Sequence, residues 1–421
     1  MTRIPLWFIL TLLTLITLLQ GCVKDPSVIA DPGMEAFNFT MTESQRQYIN
    51  STRGIQYEVT DPVPELELAG KTYTIDRFEI RGDNTLNFFR KGFGLNMGDK
   101  ILIYNPFNNT TRKYEEFKLL AMVYDYTYIE NSIAVGLHRK AGLWPVMTFF
   151  TEVRINGHTQ GLYHFIEDPV EYFIEEENSS FVVRRGYDHV IKTYGIRPDK
   201  TGDLEYYKNR FRKIYNILPD YSGSQMYDTL SSYMDLEQYF TKLSIDLLIK
   251  NGDYTDEIFF YNKMKDNKEL FGVFPWDLDD IFSDQPHEIG NWWAPGTVFG
   301  RREYYSMSDV VADVGDKLLY SIEDDLDYKI ALDDFLYQQY LKTLRTVMEK
   351  ISPAEIDKIF DNTFDQISPF YDNDSIIAQS KYDVKETNSS LFVSNLAAKR
   401  QMLKERWGWI MGELDKQQNT K

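Results

Sequence analysis

The chain has 421 residues, 43% hydrophobic and 15% aromatic, so it is long enough for a large buried core and too apolar to be disordered throughout. Acidic residues outnumber basic ones by 64 to 46, which gives a formal net charge of −18. A chain of this charge without a long basic run repels the phosphate backbone, so we predict no nucleic-acid partner.

The first residues predict export from the cytoplasm. In MTRIPLWFILTLLTLITLLQGC, one arginine, an apolar stretch and small residues precede Cys22, which is the pattern of a signal peptide over residues 1–21. LLQGC resembles a bacterial lipobox, which predicts cleavage before Cys22 and lipidation of its thiol. This would place the protein in the bacterial cell envelope, held on the membrane by its N-terminal lipid, at the outer membrane or the cell surface. A plain secretory signal with an incidental cysteine is the alternative.

Strand patterns follow a short polar segment. Residues 22–51 are polar and mixed, and we predict a tether there. Over residues 52–170 we predict a β-rich lobe, because apolar and polar residues alternate in KTYTIDRFEIRG, KILIYN and TFFTEVRING. NGHTQG, between TEVRI and LYHFIE, indicates a hairpin turn. One helix is predicted within this lobe, in TYIENSIAVGLHRKAG.

Residues 171–417 are predicted to form a helical lobe. In MDLEQYFTKLSIDLLIK an apolar stripe runs from Leu236 to Leu247, and Asp235 precedes it as an N-cap. Three later segments have similar patterns: ALDDFLYQQYLKTLRTVMEKI, SPAEIDKIFDNTFDQI and NLAAKRQMLKERWGWIMGEL. We interpret the acids of SIEDDLDYK as solvated residues at the start of a helix.

Acidic residues concentrate in the segment 251–282, NGDYTDEIFFYNKMKDNKELFGVFPWDLDDIF. Its strand-like runs IFFYN and LFGVFPW flank the polar turn KDNK, so antiparallel pairing folds the two ends of the segment together. Six of its eight acids lie at those ends. Converging carboxylates repel one another unless a cation neutralises them, and hard oxygen ligands suit Mg²⁺. The sequence therefore predicts either a metal site on a catalytic hairpin or a solvated rim.

A site of this kind matches the needs of phosphoryl transfer. One Asp aligns the acceptor hydroxyl, further acids hold the metal, and a cationic side chain contacts the phosphates. Other chemistries lack their motifs, since the chain has no His-Glu-x-x-His, Gly-x-Ser-x-Gly or Walker sequence.

NGDYTDEIFFYN followed by GVFPWDLDDIF resembles the core motif of CotH-type kinases, the family named after spore coat protein H. Three further segments agree in order: FEIRGDNTLNFFRKGFGLNM, EVRINGHTQGLYHFIEDPVEYF and AAKRQMLKERWGWIMGEL. The resemblance implies an α+β protein with an atypical two-lobed protein-kinase-like fold, a β-rich N-lobe and a helical C-lobe. It also implies dependence on ATP and Mg²⁺, with Mn²⁺ as a substitute, and a protein substrate with Ser or Thr acceptors.

Site residues carry over from the resemblance by position. Asp253 is the implied catalytic residue, and Asp277 and Asp279 are the implied metal ligands. The family often places Asn five residues after the catalytic Asp, where this chain has Ile258. The neighbouring Glu257, or Asp256, must then supply the second ligand.

The resemblance also implies the nucleotide-binding residues. Arg81 and Gly82 lie in the turn over the phosphates. Lys91 is the implied phosphate-contacting lysine, with Arg90 as the alternative, and Glu167 is implied as the partner of Lys91.

Two other functions stay open at this point. ATP is scarce outside the cytoplasm, and the departure at Glu257 adds negative charge, so a catalytically silent kinase-like surface lipoprotein that binds glycan or protein is the first alternative. A structural calcium ion at the acidic cluster is the second.

Overall fold

The computed structural model describes residues 35–125, 127–186, 190–253, 255–284, 317–320, 322, 324–379 and 387–419. Cys22 and the predicted signal peptide lie outside the described residues, so lipidation stays a prediction. Within the described ranges, no helix is both long enough and apolar enough to span a membrane.

The N-terminal part of the chain is built from strands that pair into one sheet. In chain order they are β1 (Phe37–Thr40), β2 (Tyr57–Glu58), β3 (Glu65–Leu68), β4 (Lys71–Thr74), β5 (Arg77–Arg81), β6 (Gly92–Asn105), β7 (Thr110–Leu120), β8 (Thr148–Ile155) and β9 (His158–Glu167). As described, the sheet has nine strands in the order β2-β5-β6-β7-β9-β8-β1-β3-β4. The hairpin predicted at NGHTQG is confirmed, because β8 pairs with β9 across Asn156 and Gly157, whose φ angles of 52° and 78° suit a two-residue turn.

Both faces of β9 are buried over its second half, and successive side chains of the strand point to opposite sides. On β9, Tyr163 and Phe165 enter an aromatic core that also contains Phe93. Leu162 and Ile166 of the same strand face a second core, which the C-terminal helices complete. A shift of one position along β9 therefore decides which core a side chain enters.

The predicted tether over residues 22–51 is wrong from Phe37 onward. Strand β1 lies between β8 and β3, and Phe37 and Phe39 are fully buried. Helix α1 (Glu43–Ser51) follows, with a capping box in which Thr42 and Gln45 bond each other's backbone N–H. The alternation of FNF and the T-x-x-Q spacing were the local signals for both elements.

A second, smaller sheet lies in the C-terminal half. Its strands are β10 (Phe181–Arg185), β11 (Ile191–Ile196), β12 (Ile258–Lys265) and β13 (Lys268–Pro275), in the antiparallel order β11-β10-β12-β13. The predicted hairpin is confirmed: Ile258 pairs with Pro275, and Asp266 and Asn267 form the turn with positive φ. The β10–β11 hairpin was not predicted from the sequence.

One helix, α2 (Glu130–Ala141), lies between β7 and β8. The other described helices follow β9: α3 (Pro169–Glu175), α4 (Leu204–Asn216), α5 (Gly223–Leu230), α6 (Leu236–Ile249), α7 (Asp325–Leu332), α8 (Asp334–Lys350), α9 (Pro353–Tyr371), α10 (Asp374–Ile377) and α11 (Ser389–Asn419). The predicted cap of α6 is confirmed, because Gln238 N donates to Asp235 Oδ1 at 3.3 Å. Helix α6 packs against α8, and α9 packs against α11. The described chain is thus α+β, with a β-rich N-terminal region and a helical C-terminal region.

The acids of SIEDDLDYK begin helix α7, as predicted, but the prediction that they are solvated is wrong for those described. Asp324, Asp325 and Asp327 are buried. Asp324 Oδ2 lies 3.0 Å from Nη1 of Arg185, whose side chain is fully buried on β10. Tyr239 Oη donates to Asp327 Oδ1 at 2.8 Å. The unpredicted strand β10 supplies the buried cation, which is why local sequence did not reveal this environment.

The Arg185–Asp324 pair predicts a large stability effect. Replacing Asp324→Asn leaves the guanidinium of Arg185 without its paired charge in the core, which costs about 3–5 kcal/mol. We therefore expect chemical denaturation to show a free energy of unfolding lower by that amount.

Asp365→Asn is the matched control, since Asp365 is exposed on helix α9. Its free energy of unfolding should change by less than about 0.5 kcal/mol. An Asp324→Asn variant as stable as this control would show that the pair contributes little.

Candidate functional site

The two ends of the β12–β13 hairpin meet through backbone hydrogen bonds. Trp276 N donates to Glu257 O at 3.0 Å, and Gly252 N donates to Asp280 O at 2.8 Å. Further on, Phe282 N donates to Ile249 O at 2.7 Å. The segment after β13 therefore runs back along the segment between α6 and β12. This confirms the predicted convergence of the two acidic ends.

Gly252 permits this close approach. A Cβ atom at this position would lie 1.9 Å from Oδ2 of Asp280 and 2.9 Å from Cβ of Ser283. The preceding Asn251 is buried, and its Nδ2 donates to Oδ1 of Asp246 at 3.2 Å. Asp246 in turn accepts a 2.6 Å bond from the buried Lys242. The loop that carries Asp253 is thus held by close packing at Gly252 and by the buried hydrogen bonds that link Asn251, Asp246 and Lys242.

Three carboxylates converge at the start of β12. Asp253, Asp256 and Glu257 each place one oxygen within 4.8 Å of the others. Burial raises the pKa of Glu257 well above its usual value, and the charge of Asp277 raises it further. Burial followed by the charge of Asp277 likewise raises the pKa of Asp279. The implied catalytic and metal residues therefore belong to one electrostatic cluster.

Asp277 has an unusual backbone. The chain is not extended through the two acids that follow β13, because β13 ends at Pro275 and Asp277 is left-handed, with φ of 47°. Such conformations are uncommon outside glycine and gather at functional sites. Asp277 and Asp279 nonetheless both join the cluster.

Cationic side chains oppose this negative charge. Arg184 of β10 pairs with Oε1 of Glu257, and Lys192 of β11 lies 2.5 Å from Oδ2 of Asp256. Burial raises the pKa of Asp277, while the charges of Arg184, then Arg81, oppose that rise. Of these cations, only Arg81 was predicted at the site. The RR pair in FVVRRG, within a strongly apolar run, was the available signal for Arg184.

The donor set suits a hard divalent cation. It consists of carboxylate oxygens, which Mg²⁺ and Mn²⁺ prefer. Oε2 of Glu257 is buried and accepts no hydrogen bond from any residue in the described ranges. A buried carboxylate oxygen without a partner is costly, and a metal ion or its bound water would satisfy it.

The predicted phosphate turn lies beside this cluster. Arg81 ends β5, and its charge acts on the carboxyl of Asp277. Gly82 follows with φ of 137°, and a Cβ there would lie 2.1 Å from Oγ1 of Thr85. Asp83 comes next. Burial raises the pKa of the half-exposed Tyr124, and the charges of Asp279 and Asp83 raise it further. Arg81 therefore lies at the rim of the acidic cluster, while the phosphate contact predicted for Arg81 and Gly82 stays a prediction.

The described contacts of Lys91 are with backbone carbonyls, and its predicted phosphate contact stays a prediction. Lys91 is 2% exposed, and its Nζ donates to the carbonyls of Leu86 and Phe88 at 2.5 and 2.6 Å. These bonds support the 3₁₀ turn Asn84–Asn87. The alternative, Arg90, donates to Tyr128 Oη at 2.6 Å and to Gln160 O at 3.0 Å. The described contacts of both residues are thus those of structural cations.

The predicted Lys91–Glu167 pair is wrong, because the described contacts of Glu167 are with other residues. Glu167 accepts from Met147 N at 2.8 Å and lies 3.8 Å from Arg112. Its position on β9 has the same parity as Phe165, which faces the aromatic core. Because side chains alternate along the strand with a period of two residues, this carboxylate points to the side of the aromatic core and not to the acidic cluster.

Lys118 and Asp168 form a second buried ion pair that was not predicted from the sequence. Lys118 of β7 is 7% exposed and bonds Asp168, the N-cap of α3. Burial alone would raise the pKa of Asp168, but the charge of Lys118 holds it below its usual value. The ammonium lies 4.7 Å from the ring centroid of Trp276, the residue before Asp277. A lysine inside the apolar run FKLLAMV was the signal, since a buried charge needs a partner.

Comparisons with known proteins give one family. A model of the family described as CotH kinase protein matches residues 78–402. Inner spore coat protein H of Bacillus subtilis (strain 168) is 23% identical over 247 residues, which cover 54% of this chain and 64% of that protein. The chain therefore spans less than two thirds of the length of this relative.

Among solved structures, the complex of HipA, HipB and operator DNA from Shewanella oneidensis MR-1 is similar at 10% identity. The similarity covers 96% of this chain and 71% of that one, with a TM-score of 0.30, which does not establish a common fold. The family model, by contrast, includes the turn at Gly82, the Lys118 strand and both ends of the acidic hairpin. The chain belongs to the CotH kinase protein family.

Proposed function

We propose that this protein is a lipid-anchored, extracytoplasmic protein kinase that transfers a phosphoryl group from ATP–Mg²⁺ to Ser or Thr hydroxyls of a protein substrate. One observation carries the proposal: the two acidic ends of the hairpin close into one cluster, in which Glu257 keeps a buried oxygen without a described partner. Membership of a kinase family supports the same chemistry.

Each residue of the site has a distinct role in the proposed transfer. Asp253, on the loop held by Gly252 and Asn251, orients the acceptor hydroxyl and accepts its proton. Asp277 and Glu257 would hold the metal, with Asp279 supporting it or its waters. When bound, the metal neutralises charge on the transferred phosphates. Arg81 lies at the rim, where its guanidinium can contact phosphate oxygens.

We assign to Lys118 the role that the sequence implied for Lys91. Lys118 is positioned by its ion pair with Asp168 and by the ring of Trp276, directly before Asp277. A lysine with a fixed carboxylate partner, next to a metal-binding Asp, is the arrangement that phosphate binding in kinases requires.

The cellular site of action follows from the N-terminal pattern. Lipidation of Cys22 would attach the protein to the membrane of the bacterial cell envelope, at the outer membrane or the surface. Because ATP is scarce there, the enzyme would act in transit, scavenge nucleotide, or use another phosphoryl or adenylyl donor.

One observation favours a silent binding protein as a second candidate. Arg184 already occupies Oε1 of Glu257, and Lys192 lies 2.5 Å from Oδ2 of Asp256, so part of the negative charge of the cluster is neutralised without any ligand. In that case the kinase-like surface lipoprotein would hold glycan or protein and transfer nothing.

Nucleotide binding and transfer test the kinase. We expect ATP with Mg²⁺ or Mn²⁺ to raise the melting temperature of the full chain, and Asp277→Ala to abolish this shift because it removes a metal ligand. Asp253→Asn should keep the shift and lose labelled-phosphate transfer at least about 100-fold, as expected for a group that acts on the transferred proton.

Asp266→Asn is the control, since Asp266 lies in the exposed turn at the far end of the same hairpin and Asn tolerates its left-handed backbone. This variant should behave as wild type. If nucleotide did not raise the melting temperature of the wild type, the kinase proposal would be wrong. A higher melting temperature with Ca²⁺ and no nucleotide would favour a structural calcium ion. A nucleotide shift with no transfer to any protein would favour the silent binder.

Lys118 gives a second test. Lys118→Met should raise the KM for ATP about 10- to 100-fold, because a hydrogen bond to a charged group contributes about 1.5–3 kcal/mol. Lys113→Met on the same strand is the control, since Lys113 is exposed. If Lys118→Met lowered the melting temperature but left the KM for ATP unchanged, Lys118 would be a structural cation only.

The lipid anchor is tested separately by fractionation. Cys22→Ser removes the thiol that would carry the lipid, and we expect the protein to move from the membrane fraction to the soluble fraction of the envelope. A Cys22→Ser protein that stayed with the membrane would contradict the lipoprotein assignment and leave the kinase untouched.

A further inference from the structure

Arg184 connects the β10–β11 hairpin to the acidic cluster. Its guanidinium pairs with Oε1 of Glu257 and its Nε donates to the backbone carbonyl of Asp256 at 3.1 Å. Both partners lie at the entry to β12, the strand next to β10 in the small sheet. We propose that Arg184 is a positioning residue that holds Glu257 as an oxygen ligand for the divalent cation of the cluster. This inference rests on the proposed metal-dependent function.

The two oxygens of Glu257 have different surroundings. Oε1 is taken by Arg184, whereas Oε2 is buried and accepts no bond from the residues that the structure describes. Fixing one carboxylate oxygen with a guanidinium restricts rotation of the group and presents the other oxygen in a defined direction. Carboxylates that ligate metals are commonly oriented by hydrogen bonds of this kind.

Arg184 also places a positive charge beside the proposed ligand. The carboxylates of Asp253 and Asp256 lie close to Glu257, and the guanidinium that pairs with Glu257 offsets part of this negative charge. The same guanidinium therefore supplies both orientation and charge.

The neighbouring strand repeats this arrangement. Lys192 of β11 lies 2.5 Å from Oδ2 of Asp256, and Arg184 lies 4.0 Å from the same oxygen. Two adjacent strands thus each direct a cation to one of two adjacent acids. Lys192 is nearly half exposed, whereas the side chain of Arg184 is 14% exposed. Arg184 is consequently the better fixed of the two.

Binding of Mn²⁺ to the mature full chain, followed by electron paramagnetic resonance in MnCl₂ titrations, tests the inference without relying on activity. Arg184→Met should weaken Mn²⁺ binding 10- to 100-fold, the usual effect of removing a group that orients a metal ligand. Glu257→Gln should weaken binding by a similar factor. The double variant should bind no worse than the weaker single variant, because both changes remove the same ligand.

Arg197→Met is the matched control. It removes a guanidinium–carboxylate pair, Arg197 with Asp199, from the opposite end of the β10–β11 hairpin and should leave Mn²⁺ affinity unchanged. Arg184→Lys keeps the positive charge but not the two-point contact, so we expect it to restore only part of the affinity. If Arg184→Met does not fold, Arg184→Lys with Glu257→Gln gives the same cycle.

Three results would overturn the inference. Tighter Mn²⁺ binding in Arg184→Met would make Arg184 a competitor of the metal, and multiplicative losses in the double variant would show that it does not act through Glu257. Glu257→Gln with wild-type affinity would show that Glu257 is no ligand. A wild-type protein that binds no Mn²⁺ would instead overturn the proposed function, and this inference with it.

Discussion

The structure depends on closing the two ends of one hairpin over buried carboxylates. Backbone bonds join Trp276 to Glu257 and Gly252 to Asp280, and they bring acids from distant positions into one volume. Ionised carboxylates in such a place are costly, because burial removes water and each charge repels the next. The raised pKa values of Glu257 and Asp279 record that cost. A fold that keeps the cluster must therefore compensate it with cations.

The compensation comes from elements outside the hairpin. The β10–β11 hairpin contributes Arg184 and Lys192 to the cluster, and the large sheet contributes Arg81 at its rim. Arg185, the next residue of β10, instead donates to the carbonyl of Thr255 at 2.8 Å and pairs with Asp324. Adjacent residues of one strand thus serve two purposes.

Local patterns in the sequence predicted several elements but not their partners, and they did not predict β1, α1 or the β10–β11 hairpin. The cap at Asp235, the turn at Asp266 and the β8–β9 hairpin depend on residues close in sequence, and all were predicted correctly. The convergence of the acids followed from the hairpin alone. By contrast, the burial of Asp324 and the pairing of Lys118 depend on residues far along the chain. Periodicity does not encode such contacts, although an isolated charge in an apolar run indicates that one must exist.

The predicted Lys91–Glu167 pair fails for two separate reasons. Glu167 shares the side of β9 that faces the aromatic core, and Lys91 donates to the carbonyls of a turn. Asp168 directly follows Glu167 in sequence, and its partner Lys118 comes from β7. The motif thus locates the right end of β9, whereas the cation that pairs there comes from another strand.

Glu257 shows how the chain accommodates its departure from the pattern of CotH-type kinases. An amide near this position is a neutral oxygen donor, whereas a carboxylate adds one negative charge to an already acidic cluster. Arg184 offsets that negative charge, because its ion pair with Glu257 is neutral overall. The pair can thus supply a metal ligand at no net change in charge, provided that Arg184 and Glu257 stay together. Loss of Arg184 alone would leave the charge of Glu257 uncompensated beside Asp277, whereas loss of Glu257 alone leaves Arg184 with Asp256, 4.0 Å away.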